Sequence, residues 1–492
     1  MGPSTESVRV ARRTTDGPDV PPRLPRGPAA SRRALTRLIP PAERIAALLS
    51  LALAALLSRS AEAQYVPYGP FEVYPGQVFR EGPGLRVWHD GLVLHPGVSA
   101  ELGYDSNPLL ASKSAHSGVF RLRAHLDLAT LPPQRLDSGL PTLEFRLGAA
   151  VEYRQYFSTD YRVGNMAQIN AQSDAELSLF RGRPLSLRAY NQFLVTNDAR
   201  NLEIANNQTF APRIFDRLGV LGTYRPRNGP LEIGLGESFR VDHFVQSELE
   251  RSRALSNDIQ LYAQLRVLPE TLVRLDVRSS YVSFYGSGSP LPPSAPLRII
   301  AGAQSMLWRW LGASLYLGYG NSLHHNVPPP GMAQLIGNLG ATNYSGFVGG
   351  LEARLHLLSR MRLSAGYARD FFDSIYATFF VDDRVYVHYE HGLWRSLTAR
   401  VNFDTYFRQY GTLVAPPTFG YRAYRNGVTT RGDVLVSLSA EATFRPLSFL
   451  EVGASYSVLD NETDFGFVDG TGIRNDAAFA KHVLLFKADL AY

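Results

Sequence analysis

Two pairs of neighbouring side chains have the residue types needed for acid–base chemistry. Asp242 is followed by His243, and Asp382 is followed by Asp383. Carboxylate and imidazole groups can activate a water molecule for hydrolysis when they converge on one point. Adjacent residues of a strand point to opposite faces of a sheet, so only one member of each pair can face a common site. The sequence therefore predicts that these pairs do not form an enzyme.

Two further stretches carry side chains that could bind a metal ion. His324 and His325 have no third ligand at metal-binding spacing. The acidic stretch 460–470 (DNETDFGFVDG) departs from an EF-hand, because Phe465 stands where the turn glycine is required. The chain has no Cys, which excludes disulfides, thiolate metal sites and cysteine nucleophiles. We expect neither a metal nor a cofactor, with calcium at 460–470 as the alternative to an ordinary polar loop.

The beginning of the chain has the composition of an export signal. Basic residues between Arg32 and Arg44 precede the apolar run 45–57 (IAALLSLALAALL), and Ala61 and Ala63 flank a candidate cleavage point. A membrane-spanning helix needs about 20 apolar residues, more than this run supplies. A cleavable signal peptide is therefore the prediction.

The charge of the chain depends on this leader. The whole sequence has 50 basic and 44 acidic residues and a formal net charge of +6. Ten arginines and five acidic residues lie before position 64, so the remainder is close to neutral. The basic isoelectric point thus gives no reason to expect nucleic acid as a partner.

The rest of the chain alternates apolar and charged residues over long runs. In 271–285 (TLVRLDVRSSYVSFY) and 396–410 (SLTARVNFDTYFRQY), apolar side chains fall on one face and charged side chains on the other. These runs exceed the roughly 5 to 6 residues of an ordinary strand. An apolar face against lipid and a polar face against water is typical of a transmembrane β-barrel rather than a β-sandwich.

Connections alternate between short turns and long loops, as at the two rims of an outer-membrane barrel. Short turns are expected near 181–184, 225–230, 268–271, 307–311, 357–361, 392–396 and 445–448. The fold prediction is all-β, a transmembrane antiparallel barrel of about eighteen strands, or sixteen, in the bacterial outer membrane. The pairs Asp242–His243 and Asp382–Asp383 would then fall on about the seventh and fourteenth strands. The predicted organisation is 1–63 N-terminal extension and cleavable signal peptide, 64–91 periplasmic segment or partial plug, and 92–492 barrel.

The charged strand faces would line the lumen of such a barrel. Mixed charge offers hydrogen bonds to hydroxyl groups without a strong field for either ion sign, and tyrosine rings can stack on sugars. The alternative is that the charges only solvate the wall and the tyrosines only form interfacial girdles. The predicted pore-lining residues are Arg121, Arg123, Asp127, Glu144, Arg146, Glu152, Arg154, Tyr190, Tyr262, Arg274, Asp276, Arg278, Tyr386, Arg400, Asp404, Tyr406 and Glu441.

The last strand-like run, 482–492 (HVLLFKADLAY), has an apolar face that includes its final aromatic residue. A terminal aromatic suits the girdle at the membrane interface. The set also resembles the C-terminal signature by which barrel-assembly machinery recognises its clients. The resemblance implies that machinery and outer-membrane lipid as partners, with the assembly signal carried by Leu484, Phe486, Ala488, Leu490 and Tyr492.

The first predicted barrel strand, 97–110 (GVSAELGYDSNPLL), resembles the opening of a family of outer-membrane β-barrel porins. Some members of that family belong to exopolysaccharide export systems. The resemblance implies the translocation channel of an exopolysaccharide or capsule export system, docked to a periplasmic polysaccharide export protein. A general or sugar-uptake diffusion porin is the alternative, and a structural or adhesive surface barrel is the third. Asp105, Asn107 and Pro108 are turn residues that would end the strand in any family.

Overall fold

The computed structural model describes residues 84–87, 91–130, 142–164, 166–197, 203, 212–286, 291–325, 342–358, 360–394, 396–412, 422–425, 431–463, 465–468 and 474–492. Within these ranges, no helix is long and apolar enough to cross a membrane. Two short 3-10 turns occur, Pro226–Asn228 and Ser247–Ser252. The predicted cleavage residues Ala61 and Ala63, and most of 64–91, lie outside the described residues.

Long strands make up most of the described chain. They are β1 (Leu85–Val87), β2 (Leu92–Asp105), β3 (Ser117–Thr130), β4 (Leu143–Phe157), β5 (Ala167–Leu179), β6 (Leu185–Thr196), β7 (Arg213–Tyr224), β8 (Leu231–Phe244), β9 (Ala254–Leu268), β10 (Thr271–Phe284), β11 (Leu297–Trp308), β12 (Leu311–Asn321), β13 (Ser345–Leu358), β14 (Met361–Asp373), β15 (Phe379–Gly392), β16 (Leu397–Tyr410), β17 (Arg422–Arg425), β18 (Gly432–Leu447), β19 (Leu450–Thr463), β20 (Phe465–Val468), β21 (Arg474–Asp476) and β22 (Phe479–Ala491).

Eighteen of these strands close into one antiparallel barrel. Each strand from β2 to β16 pairs with the next, β16 pairs with β18, β18 with β19, and β19 with β22. The ring is completed because β22 also pairs with β2, with Val98 opposite Leu490 and Tyr104 opposite Leu484. The predicted architecture and its preferred strand number are therefore confirmed.

The outer wall of the barrel is apolar. On β10, Val273 and Leu275 are exposed. Asp276, the next residue, points to the opposite face and is buried. The same alternation exposes Val401 and Phe403 on β16 while Asp404 points inward. A closed barrel with an exposed apolar outer face and a polar interior is stable when lipid surrounds it. The barrel is accordingly an outer-membrane structure.

The two rims differ as the sequence predicts. At one rim, two residues join β9 to β10, β11 to β12, and β18 to β19. At the other rim the connections are long, and two of them contain the extra strands β17, β20 and β21, which form a separate three-stranded sheet. By the usual asymmetry of such barrels, the short turns mark the periplasmic side.

Turn residues at the outer end of β2 stabilise the closing seam of the barrel, where β2 pairs with β22. The Asp105 carboxylate accepts a hydrogen bond from the Asn107 N–H (3.0 Å) and pairs with the Lys481 ammonium of β22 (2.9 Å). The Asn107 amide donates to the carbonyl oxygens of Ala111 (2.7 Å) and Ala480 (3.1 Å). β2 ends at Asp105, as these turn residues predict, and both side chains are buried where the first and last barrel strands meet.

The short strand β1 lies beside the inner end of the same seam. β22 pairs with β2 only from Gly97 outward, and β1 pairs with Leu92 to Leu94. β1 therefore covers part of the β2 edge that β22 does not reach, which satisfies backbone groups that would otherwise be unpaired.

Candidate transport pathway through the barrel

Each of the residues predicted to line the pore lies on the inner face of its strand. On β4, for example, Glu152 and Arg154 alternate with the exposed residues Val151 and Tyr153. The same holds on β18, where Glu441 lies between outward alanines. The barrel thus gathers seventeen side chains from eight strands around one interior, because a strand places every second residue on the same face. Whether all of them meet a solute stays a prediction.

Charged residues on the inner face pair with one another across neighbouring strands. Asp127 of β3 accepts two hydrogen bonds from Arg146 of β4, at 3.0 and 2.7 Å. On β16 and β18, Arg400 contacts Glu441 (3.4 Å). Such pairing neutralises charge locally, so the wall offers donors and acceptors without a large net field.

A carboxylate flanked by two arginines stands out on β10. Asp276 contacts Arg274 (2.5 Å) and Arg278 (3.0 Å), and the Gln260 amide donates a further hydrogen bond to it (2.7 Å). The Arg274 guanidinium lies 3.9 Å from the centre of the Tyr262 ring, a cation–π contact. The sequence predicted these three charged residues to be on one face, but the stacking on Tyr262 comes from the neighbouring strand.

Several inward tyrosines lie flat against the wall, each over a glycine of an adjacent strand. Tyr190 covers Gly219, Tyr262 covers Gly234, and Tyr386 covers Gly366, so closely that a Cβ at any of these glycines would collide with the ring. Tyr262 and Tyr406 are only 5% and 7% exposed. These rings therefore pack into the barrel wall, and sugar stacking by the inward tyrosines stays a prediction.

The outer half of the interior contains buried ion pairs, which we call the outer cluster: Asp382, Arg408, Tyr410, Arg431 and Asp433. Arg408 binds Asp382 through two hydrogen bonds of 2.7 and 2.8 Å, and Arg431 binds Asp433 at 2.6 Å. The Arg431 guanidinium also lies 4.3 Å from the Tyr410 ring centre. The outer cluster is buried, and nearby Tyr410 and Asp433 raise the pKa of Arg431 against the effect of burial.

A loop that follows β14 fills the mouth of the barrel near this cluster. Ser374 to Thr378 are buried, and Ile375 and Tyr376 pack against Phe244 and Leu249, which come from β8 and the loop after it. The carboxylate of Glu203 accepts hydrogen bonds from the Ser374 hydroxyl and from the Ile375 N–H (3.0 Å). Residues from three outer connections therefore meet over the lumen. The alternation of the sequence does not indicate that this loop and Glu203 are buried together.

Some ion pairs connect strands that lie three or more positions apart around the barrel. Arg298 of β11 contacts Asp370 of β14 (2.8 Å), and Arg240 of β8 approaches Asp373 of β14 (4.0 Å). Both arginines extend from the wall toward the end of β14, which leads into the loop Ser374 to Thr378. Arg240 thus spans the lumen from β8 to β14, and Arg298 spans it from β11 to β14.

Beneath these contacts the interior contains a cavity of about 810 Å³. It is bounded by the wall residues of β4 to β12 and by the outer end of β14. Arginines and carboxylates alternate around it, and Arg217, Arg240 and Arg266 are among the cations that border it. Small-molecule sites in proteins span about 300 to 1,000 Å³, so this cavity has the size of a small solute.

The outer loops contain two groups with shifted pKa values. The Arg162 guanidinium beside Asp160 lowers the pKa of that carboxyl to about 2, and Arg162 also reaches the Lys113 carbonyl oxygen (3.3 Å). Burial lowers the pKa of His324, whose Nδ1 is 3.0 Å from the Ser322 hydroxyl. The Arg162 contact joins two outer loops, whereas the His324 contact lies within one loop.

Within each of the residue pairs with hydrolytic potential, the two side chains point to opposite faces of the barrel wall. Asp242 points inward and contacts Arg213 (2.8 Å), whereas His243 points outward to the Tyr285 hydroxyl (2.8 Å). Asp382 likewise points inward, and Asp383 pairs outward with Arg369 (2.7 Å). The pairs lie on the seventh and fourteenth barrel strands, as expected, and each inward carboxylate is paired with an arginine, Asp242 with Arg213 and Asp382 with Arg408.

No potential metal centre is found among the described residues. There, no three His, Asp or Glu side chains come close enough together to hold an ion. His324 lies 3.1 Å from the Asn343 side-chain oxygen, a contact that suits a structural role in the loop. Part of the acidic stretch 460–470 lies outside the described residues.

Comparisons with known proteins find similarity of fold only. No family model and no curated protein matches the chain. Among solved structures, the OccK2 (OpdF) protein of Pseudomonas aeruginosa in complex with glucuronate is 9% identical, with 81% of this chain and 98% of that chain covered and a TM-score of 0.43. The siderophore receptor PirA of the same organism is 9% identical (81% and 80% covered, TM-score 0.39), and a bacterial polysaccharide outer-membrane secretin is 14% identical (81% and 97%, TM-score 0.31). Such low values carry no information on what this chain transports.

Proposed function

We propose that this outer-membrane barrel is a diffusion channel for small hydrophilic solutes. The observation that carries the proposal is the inward fold of Ser374 to Thr378 above a polar cavity of about 810 Å³. Barrels of this strand number are wide enough to contain water unless loops fill them. A loop that narrows the mouth limits the size of the solute that can pass.

The chemistry of the cavity suits a solute with several hydrogen-bonding groups. Asp276 is compensated by Arg274 and Arg278, and Arg298 is compensated by Asp370. Paired charges hold their positions and still present N–H donors and carboxylate acceptors to the lumen. A hydroxylated or zwitterionic molecule can exchange hydrogen bonds with such a wall, whereas an apolar molecule would displace water from these polar groups without replacing its hydrogen bonds.

Liposome swelling with sugars of increasing size tests the proposal. Purified barrel should admit monosaccharides and exclude larger oligosaccharides. The variant Ile375→Gly with Tyr376→Gly shortens the side chains that cross the mouth, so the size limit should rise. Val387→Ala, an exposed position on the lipid face, is the matched control and should leave the limit unchanged. Impermeable liposomes, or one size limit in all three proteins, would contradict the proposal.

Export of a polysaccharide is the second candidate, and the resemblance of 97–110 to export-associated barrels favours it. A docked periplasmic export protein would belong to this candidate. Deletion of the protein in its own bacterium separates the two functions. Loss of surface polysaccharide with normal sugar uptake supports export, and the opposite result supports the diffusion channel. Loss of neither indicates a structural surface barrel.

A further inference from the structure

Four polar side chains lie on the outer, lipid-facing surface of β6 to β9, in addition to His243 near the outer end of β8. The Asn191 amide donates a hydrogen bond to the Asp216 carboxylate (2.7 Å), and the Asn257 amide donates one to the Glu237 carboxylate (3.1 Å). Their outward direction follows from their strand neighbours, because Asn191 is opposite Leu218 and Asn257 is opposite Phe239, both exposed. We call these four residues the outer polar patch.

Glu237 lies in the middle of the apolar belt. It is the seventh of the 14 residues of β8, and its cross-strand partners are Val220 and Ile259. Both partners are exposed, as are Leu235 and Phe239 on the same strand. A carboxylate at this depth loses its hydration if lipid covers it, which is unfavourable. The position therefore indicates that something other than hydrocarbon covers this face.

In the remainder of the described wall, the charged side chains that point outward lie nearer the outer rim than Glu237 does. At mid-strand, the outward residues of β10, β13 and β15 are Leu275, Leu351 and Val387. Asp383 and Asp460 also point outward, but Asp383 is at the outer end of its strand beside Arg369 (2.7 Å), and Asp460 is at the outer end of β19. The outer polar patch thus marks one sector of the barrel.

We propose that the outer polar patch is the contact surface of a homodimer, in which a second copy of this chain packs against β5 to β9. The patch contains carboxylate acceptors and amide donors in equal number, so a two-fold axis can place the donors of one copy on the acceptors of the other. No outward Lys or Arg is present on the described parts of these strands, so the patch complements itself rather than an acidic partner.

The adjoining surface allows close approach of a second barrel. The outward residues in the middle of β5 are Ala171, Ser173 and Ala175, and Ala175 is directly opposite Asn191. Small residues let backbones come close in a membrane, where packing and hydrogen bonds rather than hydrophobic burial drive association. A surface of small side chains beside a polar patch is typical of such an interface.

Disulfide crosslinking in isolated outer membranes tests the contact. The chain has no Cys, so each substitution introduces a single thiol. Val220→Cys and Ile259→Cys flank Glu237, and oxidation of at least one of them should give a covalent product of twice the chain mass. Val387→Cys, equally exposed on β15, should remain monomeric. Crosslinking at none of the three sites, or equally at all, would overturn the proposal, as would a product whose mass indicates a different protein.

A second measurement separates hydrogen bonding from simple proximity. Replacing both Glu237 and Asn257 by Leu removes the polar contacts but suits lipid, so the barrel should still fold. Two lost contacts should raise the dimer dissociation constant about tenfold, as measured by native mass spectrometry from detergent. Leu351→Ala on β13 is the control and should have no effect. A wild-type protein that is monomeric at every concentration would show that lipid or another molecule covers the patch.

Discussion

The barrel interior has two regions built from the same residue types. In the outer cluster, arginine–aspartate pairs are nearly inaccessible, with Arg431 and Asp433 side chains 0% and 4% exposed. Around the cavity the pairs are more accessible, from Arg274 and Asp276 at 16% and 7% to Arg188 and Glu176 at 51% and 42%. Burial, not composition, separates a pair that stabilises the barrel from a pair that can meet a solute.

The difference shows why charge on an inner strand face does not by itself identify a transport pathway. A buried guanidinium has lost its water and depends on its carboxylate and on nearby aromatic rings, as Arg408 depends on Asp382 and on Phe380 (4.0 Å to the ring centre). A hydrated guanidinium can exchange its partner for a solute at little cost. The cavity side of the interior is therefore where paired charges are accessible to a solute.

Removing one member of a buried pair should have the largest effect. Arg431→Ala leaves the Asp433 carboxylate without its guanidinium, which should lower the free energy of unfolding by about 3 to 5 kcal/mol. Arg188→Ala, at a hydrated pair, should change it by only about 0 to 1 kcal/mol. Urea unfolding in detergent, followed by heat-modifiable migration on gels, measures both.

A double variant refines this test of the comparison. Replacing Arg431 by Met and Asp433 by Leu removes both charges, and it should restore most of the stability lost in Arg431→Ala. Equal losses from Arg431→Ala and Arg188→Ala would show that the two regions do not differ.

The lipid face is a third environment for an arginine guanidinium, after the outer cluster and the cavity. Val401→Arg places a guanidinium against hydrocarbon and should cost about 2 to 4 kcal/mol if the position is near the midplane. Arg400→Ser, one residue away and facing the lumen, should cost little because Arg400 is 44% exposed and is hydrated. The folded fraction after refolding into lipid vesicles compares the two, and similar losses would refute the assigned faces.

Packing of tyrosine on glycine should matter less than charge burial. Gly234→Ala puts a Cβ against the Tyr262 ring and should destabilise the barrel by about 1 to 3 kcal/mol through overpacking. Gly222→Ala meets only a carbonyl oxygen at 3.9 Å and should be nearly neutral. Thermal unfolding followed by circular dichroism measures the pair. Equal effects would indicate that Tyr262 is free to move into the lumen.

The smallest expected effect is a pH dependence at the outer rim. Because burial lowers the pKa of His324, the folded loop binds this proton less readily than the unfolded loop. The contribution of neutral His324 to loop stability is therefore present above the ordinary histidine pKa of 6.5 and is lost as pH falls below it. Nearby Asp373 opposes this shift and His325 adds to it. The protection factors against hydrogen exchange at 322–325 should fall on acidification in the wild type but not in His324→Asn.

Strand number, face assignment and the position of the short turns could be predicted from the sequence. The alternation in 271–285 places Arg274, Asp276 and Arg278 inward because the side-chain period of a strand is two. The same rule applied to Glu237 places it outward, so the outer polar patch was present in the sequence as an exception to the apolar face. It becomes interpretable only when Val220 and Ile259 are known to flank it.

The sequence alone thus determined a closed antiparallel barrel in the outer membrane, because lipid outside and water inside impose a local period on every strand. Tertiary structure decided which inner charges are buried. Glu203 and Ser374 are 171 positions apart, and Arg240 meets Asp373 from a strand that is not its neighbour. Such contacts depend on how the loops return over a closed ring. No short-range pattern encodes that path, because each contact joins segments whose spacing along the chain is arbitrary.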